Sequence, residues 1–218
     1  MKKAVLWLSL SILAAFPALG FEKVQNLALP AEGLARLDIT AGAGFLTVTG
    51  RAGQTAIEVK AHIQVSGVGD SEIEEWIKNH VELELRKAGD TAVLVGEIRS
   101  RGFISFFDGE AKIDLTVSVP KTLALRIDDG SGEISVDGVE GNVDITDGSG
   151  GMEVRNVTGD VSVDDGSGGI SLLKVGGNVT IDDGSGHLEI DDVGKDVRLK
   201  HKGSGSVDIT NVRGKVIR

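Results

Sequence analysis

The stretch GEISVDGVE (132–140) is followed at once by GNVDITDGS (141–149), and these nine-residue units decide the fold. Each unit reads Gly-x-apolar-x-apolar-x-x-x-x, and the series continues without a gap until one extra residue enters near Gly203. The first position falls at 132, 141, 150, 159, 168, 177, 186, 195, 205 and 214, and it is glycine in every unit except at Lys195. Self-similarity at a fixed period is typical of repeat proteins, in which each unit covers the apolar face of its neighbour.

The third and fifth positions of the unit predict short strands with one buried face. Ile134 and Val136 hold these positions in one unit, and Val143 and Ile145 hold them in the next. Alternation with a period of two indicates a strand, and the Gly, Asp, Asn and Ser residues that follow are typical of turns.

The turns alternate between two kinds, which doubles the period. One kind carries a valine (139, 157, 175, 193 and 212), and the other carries Gly-Ser-Gly (130–132, 148–150, 166–168, 184–186 and 203–205). One coil is therefore about eighteen residues long and contains two strands. The sequence predicts an all-β fold, a single-stranded parallel β-solenoid (β-helix), with a short capping helix in its N-terminal third.

Residues 1–20 have the pattern of a cleaved signal peptide. Lys2 and Lys3 precede an apolar stretch at 4–16, and Ala18-Leu19-Gly20 offers a small-residue cleavage site. We therefore expect a bacterial protein that is exported to the periplasm, the cell surface or the medium. We expect its mature chain to begin at Phe21 and to have no transmembrane segment.

The mature chain divides into 21–122, the start of the solenoid with an insertion, and 123–218, the regular repeats, within one continuous domain. Asp70 or Ser71 is placed to cap a helix that runs through about Val81, with Glu74 completing a capping box. Trp76 falls on the apolar face of this helix, so we expect it to close the first coil.

Charge and cysteine content exclude several classes of function. The chain has no cysteine, which removes disulfides and thiolate chemistry, and its net charge of −10 argues against nucleic acid as a partner. The terminal coil (195–218) reverses this charge, with seven Lys or Arg residues against Asp196 and Asp208. It is either a polar cap that stops coils from adding end to end, or a docking surface for an acidic partner or anionic lipid.

An aromatic loop interrupts the first segment. Arg101, Phe103, Phe106 and Phe107 lie together there. They are either core residues or a partner-binding site, since exposed aromatic residues beside arginines mark contact surfaces.

The order of these features resembles a known bacterial family. A strand pair of the LDIT–GFLTVTG kind (37–50), an interruption, and then VSVPKTLALRIDDGSGEISVDGVEGNVDI (117–145) resemble the putative-adhesin, β-strand-repeat envelope domain of unknown function. The resemblance covers nearly the whole mature chain. It implies a β-solenoid with no family catalytic residues to carry over.

A column of aspartates offers the one constellation with chemistry. Asp129, Asp147, Asp165 and Asp183 recur every eighteen residues and should stack if the coils are in register. Such a column is a candidate calcium site, although Asp-Gly is also ordinary turn sequence and acidic β-rolls place their Asp differently.

We find no catalytic motif, and eighteen-residue coils leave no room for the loops of a polysaccharide-degrading β-helix. We therefore predict a non-catalytic binding, adhesin-like or scaffold module without a cofactor, whose partner is an envelope protein or surface ligand. A calcium-responsive stability or sensing module is the alternative, and a carbohydrate-active protein is a more remote one.

Overall fold

A computed structural model describes residues 20–69, 71–99 and 110–218. The signal peptide predicted at 1–20 lies outside the described residues except for Gly20. The predicted contact residues Arg101, Phe103, Phe106 and Phe107 also lie outside them.

The described residues of the first half form six strands and one helix. They are β1 (Phe21–Pro30), β2 (Arg36–Arg51), β3 (Ala56–Val65), α1 (Ile73–His80), β4 (Val81–Ala88), β5 (Thr91–Ile98) and β6 (Ala111–Pro120). The repeats that follow form ten further strands. They are β7 (Ala124–Asp137), β8 (Val143–Asp147), β9 (Gly150–Val157), β10 (Val161–Asp165), β11 (Gly168–Val175), β12 (Val179–Ser185), β13 (Leu188–Val193), β14 (Val197–Ser204), β15 (Val207–Val212) and β16 (Val216–Ile217).

The repeats stack as two rows of parallel strands. One row runs β7, β8, β10, β12, β14 and β16, and the other runs β7, β9, β11, β13 and β15. The long strands β2 and β7 bend at a glycine and take part in both rows. Val161 pairs with Val143 on one side and with Val179 on the other, which confirms an eighteen-residue coil.

The N-terminal end departs from the predicted purely parallel solenoid. Strand β3 pairs antiparallel with both β1 and β6, and β4 pairs antiparallel with β5. Parallel neighbours need a crossover of about a dozen residues, whereas only Gly89 and Asp90 separate β4 from β5. The sheet is therefore mixed, and the expectation of a single-stranded parallel architecture is wrong for this part of the chain.

An aliphatic core fills the space between the rows. It is one cluster that extends from Leu37 in β2 to Leu199 in β14, and Ile145 and Ile190 at its centre are fully buried. The Gly-Ser-Gly corners bring the backbones of successive coils very close. Gly168 has φ +152°, and a Cβ atom there would overlap the carbonyl oxygen of Gly150 in the coil below.

Helix α1 is present but starts later than predicted. Its N-cap is Glu72, without a side-chain capping hydrogen bond, instead of Asp70 or Ser71. Ile73 and Ile77 are buried in the core. Trp76 is only partly buried, and its ring stacks on His80 at 4.7 Å between centroids.

The extra residue near Gly203 is absorbed before that corner. The register between β12 and β14 shifts after Ile181, so that Ile181 pairs with Leu199 while Asp182 pairs with His201. Lys200 is thus a β-bulge in the terminal coil. Beyond the bulge the Gly-Ser-Gly corner regains its register, with Ser185 opposite Ser204.

Candidate functional site

The repeated aspartates form a ladder along one corner of the solenoid. Asp129 pairs with Asp147, Asp147 with Asp165, and Asp165 with Asp183. Each lies just before a Gly-Ser-Gly corner; Asp147 and Asp165 end β8 and β10, whereas Asp129 and Asp183 lie within β7 and β12. We call these four residues the aspartate ladder.

The side chains of the aspartate ladder point inward, which the sequence analysis missed. All four are buried, with only 3–4% of their surface exposed. The signal was present in the alternation, because Asp129 lies two residues after the buried Ile127 and so shares its face. The sequence analysis left two interpretations open, a calcium site and ordinary turn sequence, and neither places these side chains in the core.

The buried carboxyl groups are poorly satisfied. Both oxygens of Asp147 and Asp165, one of Asp129 and one of Asp183 are buried with no hydrogen-bond partner. A buried carboxylate without donors is costly, and the usual response is to bind a proton.

Burial accordingly raises the pKa of every member of the ladder. The pKa of Asp129 rises to about 7 because of burial and the neighbouring charge of Asp147. The pKa of Asp165 rises to about 6, through burial and then the charges of Asp147 and Asp183. Burial also raises the pKa values of Asp147 and Asp183. The backbone amide of Ser149 opposes the rise for Asp147, and that of Ser185 opposes it for Asp183.

The two ends of the ladder differ. Ala41 pairs with Asp129 at one end, so the column begins on an apolar residue. Lys202 pairs with Asp183 at the other end, and its positive charge opposes the rise in the pKa of Asp183.

A second column on the surface is built differently. Asn142 accepts a hydrogen bond from the amide of Asp160, Asp160 accepts from that of Asn178, and Asn178 accepts from that of Asp196, at 3.0, 2.7 and 3.4 Å. Neutral amides therefore separate the carboxylates in this column. The aspartate ladder has no such spacing and stacks four acids without interruption.

The geometry gives no support to calcium binding. Ca²⁺ takes six to eight oxygen ligands, which usually include backbone carbonyls or water. Among residues 20–69, 71–99 and 110–218, no group of three or more His, Asp or Glu side chains could hold a metal ion. The calcium site predicted at Asp129, Asp147, Asp165 and Asp183 stays a prediction.

Two exposed features lie outside the residues predicted as sites. Phe45 is 48% exposed on β2, and the Lys112 ammonium lies 5.1 Å from its ring centroid. His201 hydrogen-bonds to Asp182 of the coil below at 3.0 Å, in a column beside the aspartate ladder. Within the described part of the chain, no helix is long and apolar enough to cross a bilayer.

Comparison with protein families gives a match over almost the whole solenoid. The model of the Toastrack DUF4097 family matches residues 35–217. The chain belongs to this family. The matched region begins just before β2 and ends within β16, so it includes the aspartate ladder and the terminal coil.

Two solved structures are similar to the chain at low sequence identity. A putative cell adhesion protein from Clostridium sporogenes is 14% identical, with 89% of this chain and 97% of that chain covered at a TM-score of 0.46. A putative adhesin from Bacteroides fragilis is also 14% identical, with coverage of 89% and 96% and a TM-score of 0.29. No curated protein matches the chain. Because both TM-scores are low, the fold described above rests on this chain's own strand register.

Proposed function

We propose that this Toastrack-family protein is an exported bacterial envelope module that binds a partner through its surface and catalyses no reaction of its own. One observation carries the proposal. In the coils from β8 to β13, two strands and two tight corners use almost all of the eighteen residues. No loop is left there to enclose a substrate, and the surface consists of flat, rigid sheet faces.

Charge supports a protein or surface ligand as the partner. The net charge of −10 disfavours nucleic acid, and the faces of the regular coils are acidic. An adhesin-like or scaffold role in the periplasm, on the cell surface or in the medium fits a rigid body with these faces. The proposal agrees with the names of the two solved structures but does not depend on them.

A carbohydrate-active enzyme is disfavoured on the same ground. Parallel β-helix enzymes need long coils whose loops form a substrate groove, and the regular coils have none. The only buried acids among the described residues are those of the aspartate ladder, which faces the core and offers no opening for a sugar.

Attachment of protein-coated beads tests the proposal. Beads carrying the purified exported protein should attach saturably to bacterial envelopes or an immobilised surface ligand, and soluble protein should compete. Beads carrying heat-unfolded protein are the control. Attachment that is equal for folded and unfolded protein, or absent throughout, would contradict a binding role.

The aromatic loop can be tested in the same assay. A variant with Phe106→Ala and Phe107→Ala should lose attachment while keeping its melting temperature if the loop is the contact site. A large fall in melting temperature would instead place these residues in the core.

A further inference from the structure

The far edge of the terminal coil is unpaired. Strand β15 pairs with β13, and no other strand of the described residues pairs with it. In the coils below, this column of backbone N–H groups points toward the next coil. The N–H of Ile170 donates a hydrogen bond to the carbonyl oxygen of His187, and the N–H of Leu188 donates one to the carbonyl oxygen of Ser206. Val207 is the next residue in this column, so its N–H points away from β13 toward the free edge.

The apolar interior is partly open at the same place. Val207, Ile209 and Val212 continue the columns of Leu188, Ile190 and Val193. The three residues of β13 are fully buried, whereas the three of β15 are only partly buried, and Val216 nearby is 43% exposed. A further strand would cover these side chains as each coil covers the one below it.

The edge lacks the features that usually protect an exposed strand. Proteins block such edges with proline, lysine or a bulge in the edge strand itself. Strand β15 has the sequence VDITNV, which contains no proline, lysine or bulge; its one charged side chain is Asp208, and the bulge at Lys200 lies in β14. The polar cap stays a prediction, and the weak protection of β15 favours the docking surface.

The terminal coil has a net positive charge, although the edge strand itself contains the exposed Asp208. Seven Lys or Arg residues lie in 195–218 against two aspartates. None of these seven forms an ion pair with another residue of the described ranges, in which the Lys and Arg ion pairs are made by other cations. Arg213 and Lys215, which follow β15 directly, are both exposed.

We propose that the terminal coil docks an acidic extended segment of a partner protein, which adds as a new strand along β15. Strand addition would satisfy the free backbone groups, cover the open apolar row and neutralise the surrounding cations. A second copy docking by the same edge would bring two positive ends together. This inference rests on the proposed binding function and names the class of partner.

Peptide binding to the purified exported protein tests the inference. The probe is a fluorescein-labelled peptide in which alternating Val and Thr pair with all of β15 and a run of Glu follows beside Arg213 and Lys215; the matched control has Lys in place of each Glu. The acidic peptide should raise fluorescence anisotropy saturably, and added salt should weaken its binding because the cations contribute. Failure of the acidic peptide to bind, or equal binding of the basic one, would overturn the inference.

Two variants locate the binding. Val207→Pro removes the outward N–H at the first residue of β15, where proline is tolerated in an edge strand. It should weaken acidic-peptide binding about tenfold while the far-ultraviolet spectrum stays unchanged. Charge reversal at Arg213→Glu and Lys215→Glu should also weaken the binding of the acidic peptide. Lys60→Glu is the control and should leave it unchanged, because Lys60 is exposed on β3, away from this edge.

Other occupants give different results. If the protein dimerises in solution and Val207→Pro abolishes the dimer, the occupant of the edge is a second copy. If the protein binds anionic phospholipid vesicles and Val207→Pro leaves that binding intact, the ligand is lipid. Either result overturns the inference. Beads that attach equally with Val207→Pro protein, without any peptide binding, would overturn this inference and leave the proposed function standing.

Discussion

Asp165 lies directly above Asp147 in the parallel ladder, and none of their four carboxyl oxygens has a hydrogen-bond partner. Both side chains are at least 96% buried, since 4% and 3% of their surfaces are exposed. Burial raises the pKa of both acids, so protonation relieves the cost of their buried charges. The aspartate ladder therefore links the stability of the solenoid to pH.

Acidification from pH 7.5 to 5 is expected to stabilise the protein. The pKa values of Asp129 and Asp165 are about 7 and about 6 in the folded chain, above those of the unfolded chain. As the pH rises above about 4, the unfolded state loses these protons first, so stability falls until the pH passes the folded values. The free energy of unfolding, measured by urea titration at each pH, should be higher at pH 5 by an amount on the order of 1–3 kcal/mol.

Asp165→Asn should remove part of this pH dependence. The neutral amide keeps the shape of the side chain without its charge, so the variant should be more stable than the parent at pH 8. Asp164→Asn is the matched control, because Asp164 is the preceding residue of β10 and is exposed. Equal pH profiles for the parent and Asp165→Asn would show that the ladder does not retain its protons.

Gly168→Ala should disrupt the stack, while Gly169→Ala should not. The φ of +152° at Gly168 disfavours alanine, and the new Cβ would overlap the backbone of Gly150. At Gly169 the nearest atom to a Cβ is the carbonyl oxygen of His187, at an ordinary 3.9 Å. We expect a loss of at least about 2 kcal/mol for the first variant and a change within about 0.5 kcal/mol for the second, measured by chemical denaturation.

Lys174→Asn should stabilise the protein. Lys174 has φ 60°, in a corner column whose neighbours Asn156 and Asp192 tolerate the left-handed conformation better. We expect a gain of about 0.5–1 kcal/mol in the free energy of unfolding. Lys174→Ala removes the lysine without relieving the backbone, so a similar gain there would assign the effect to charge.

A thermal melt with calcium distinguishes a metal site at the aspartate ladder from a column of buried protonated acids. A thermal melt in millimolar CaCl₂, compared with NaCl of equal ionic strength and with a chelator, should give equal melting temperatures because the described ligand geometry is incomplete. A rise of many degrees that Asp165→Asn abolishes would establish a metal site and a calcium-responsive module.

Processing can be checked on the exported protein itself. Expression of the full chain in a bacterial host should yield a mature protein whose first residue is Phe21, as read by mass spectrometry of its N-terminal peptide. Retention of Met1 or of Lys2 and Lys3 would contradict the predicted signal peptide.

The regular coils could be predicted from the sequence because every step of the pattern has a physical cause. Alternating apolar residues such as Val161 and Val163 set the strands, and Gly168 sets a corner that no other residue fits. The eighteen-residue period then fixes the register, which is why the stacking of Asp147 on Asp165 could be predicted as well.

The repeat pattern did not predict the direction of the N-terminal strands or the burial of the aspartate ladder. Half-buried alternation, as in Ala56–Val65, is the same whether a neighbour runs parallel or antiparallel, so direction was not encoded there. Asp183 was predicted as a calcium ligand or a turn residue because Asp-Gly is turn sequence, although it occupies an inward position. Val207 occupies the same position of the repeat as the buried Leu188, so the repeat alone predicts burial. Its partial exposure follows from the lack of a described strand on its outer side.

The alternation of Asn142, Asp160, Asn178 and Asp196 limits how this protein can change length. The backbone repeats after one coil of eighteen residues, whereas the side-chain type in this column repeats only after two coils, or thirty-six residues. A tandem duplication of a single coil can set two carboxylates of this column against each other, while duplication of a coil pair keeps an amide between them, as Asn178 donates to Asp160. Gene rearrangements that lengthen or shorten this solenoid should therefore be tolerated best in even numbers of coils.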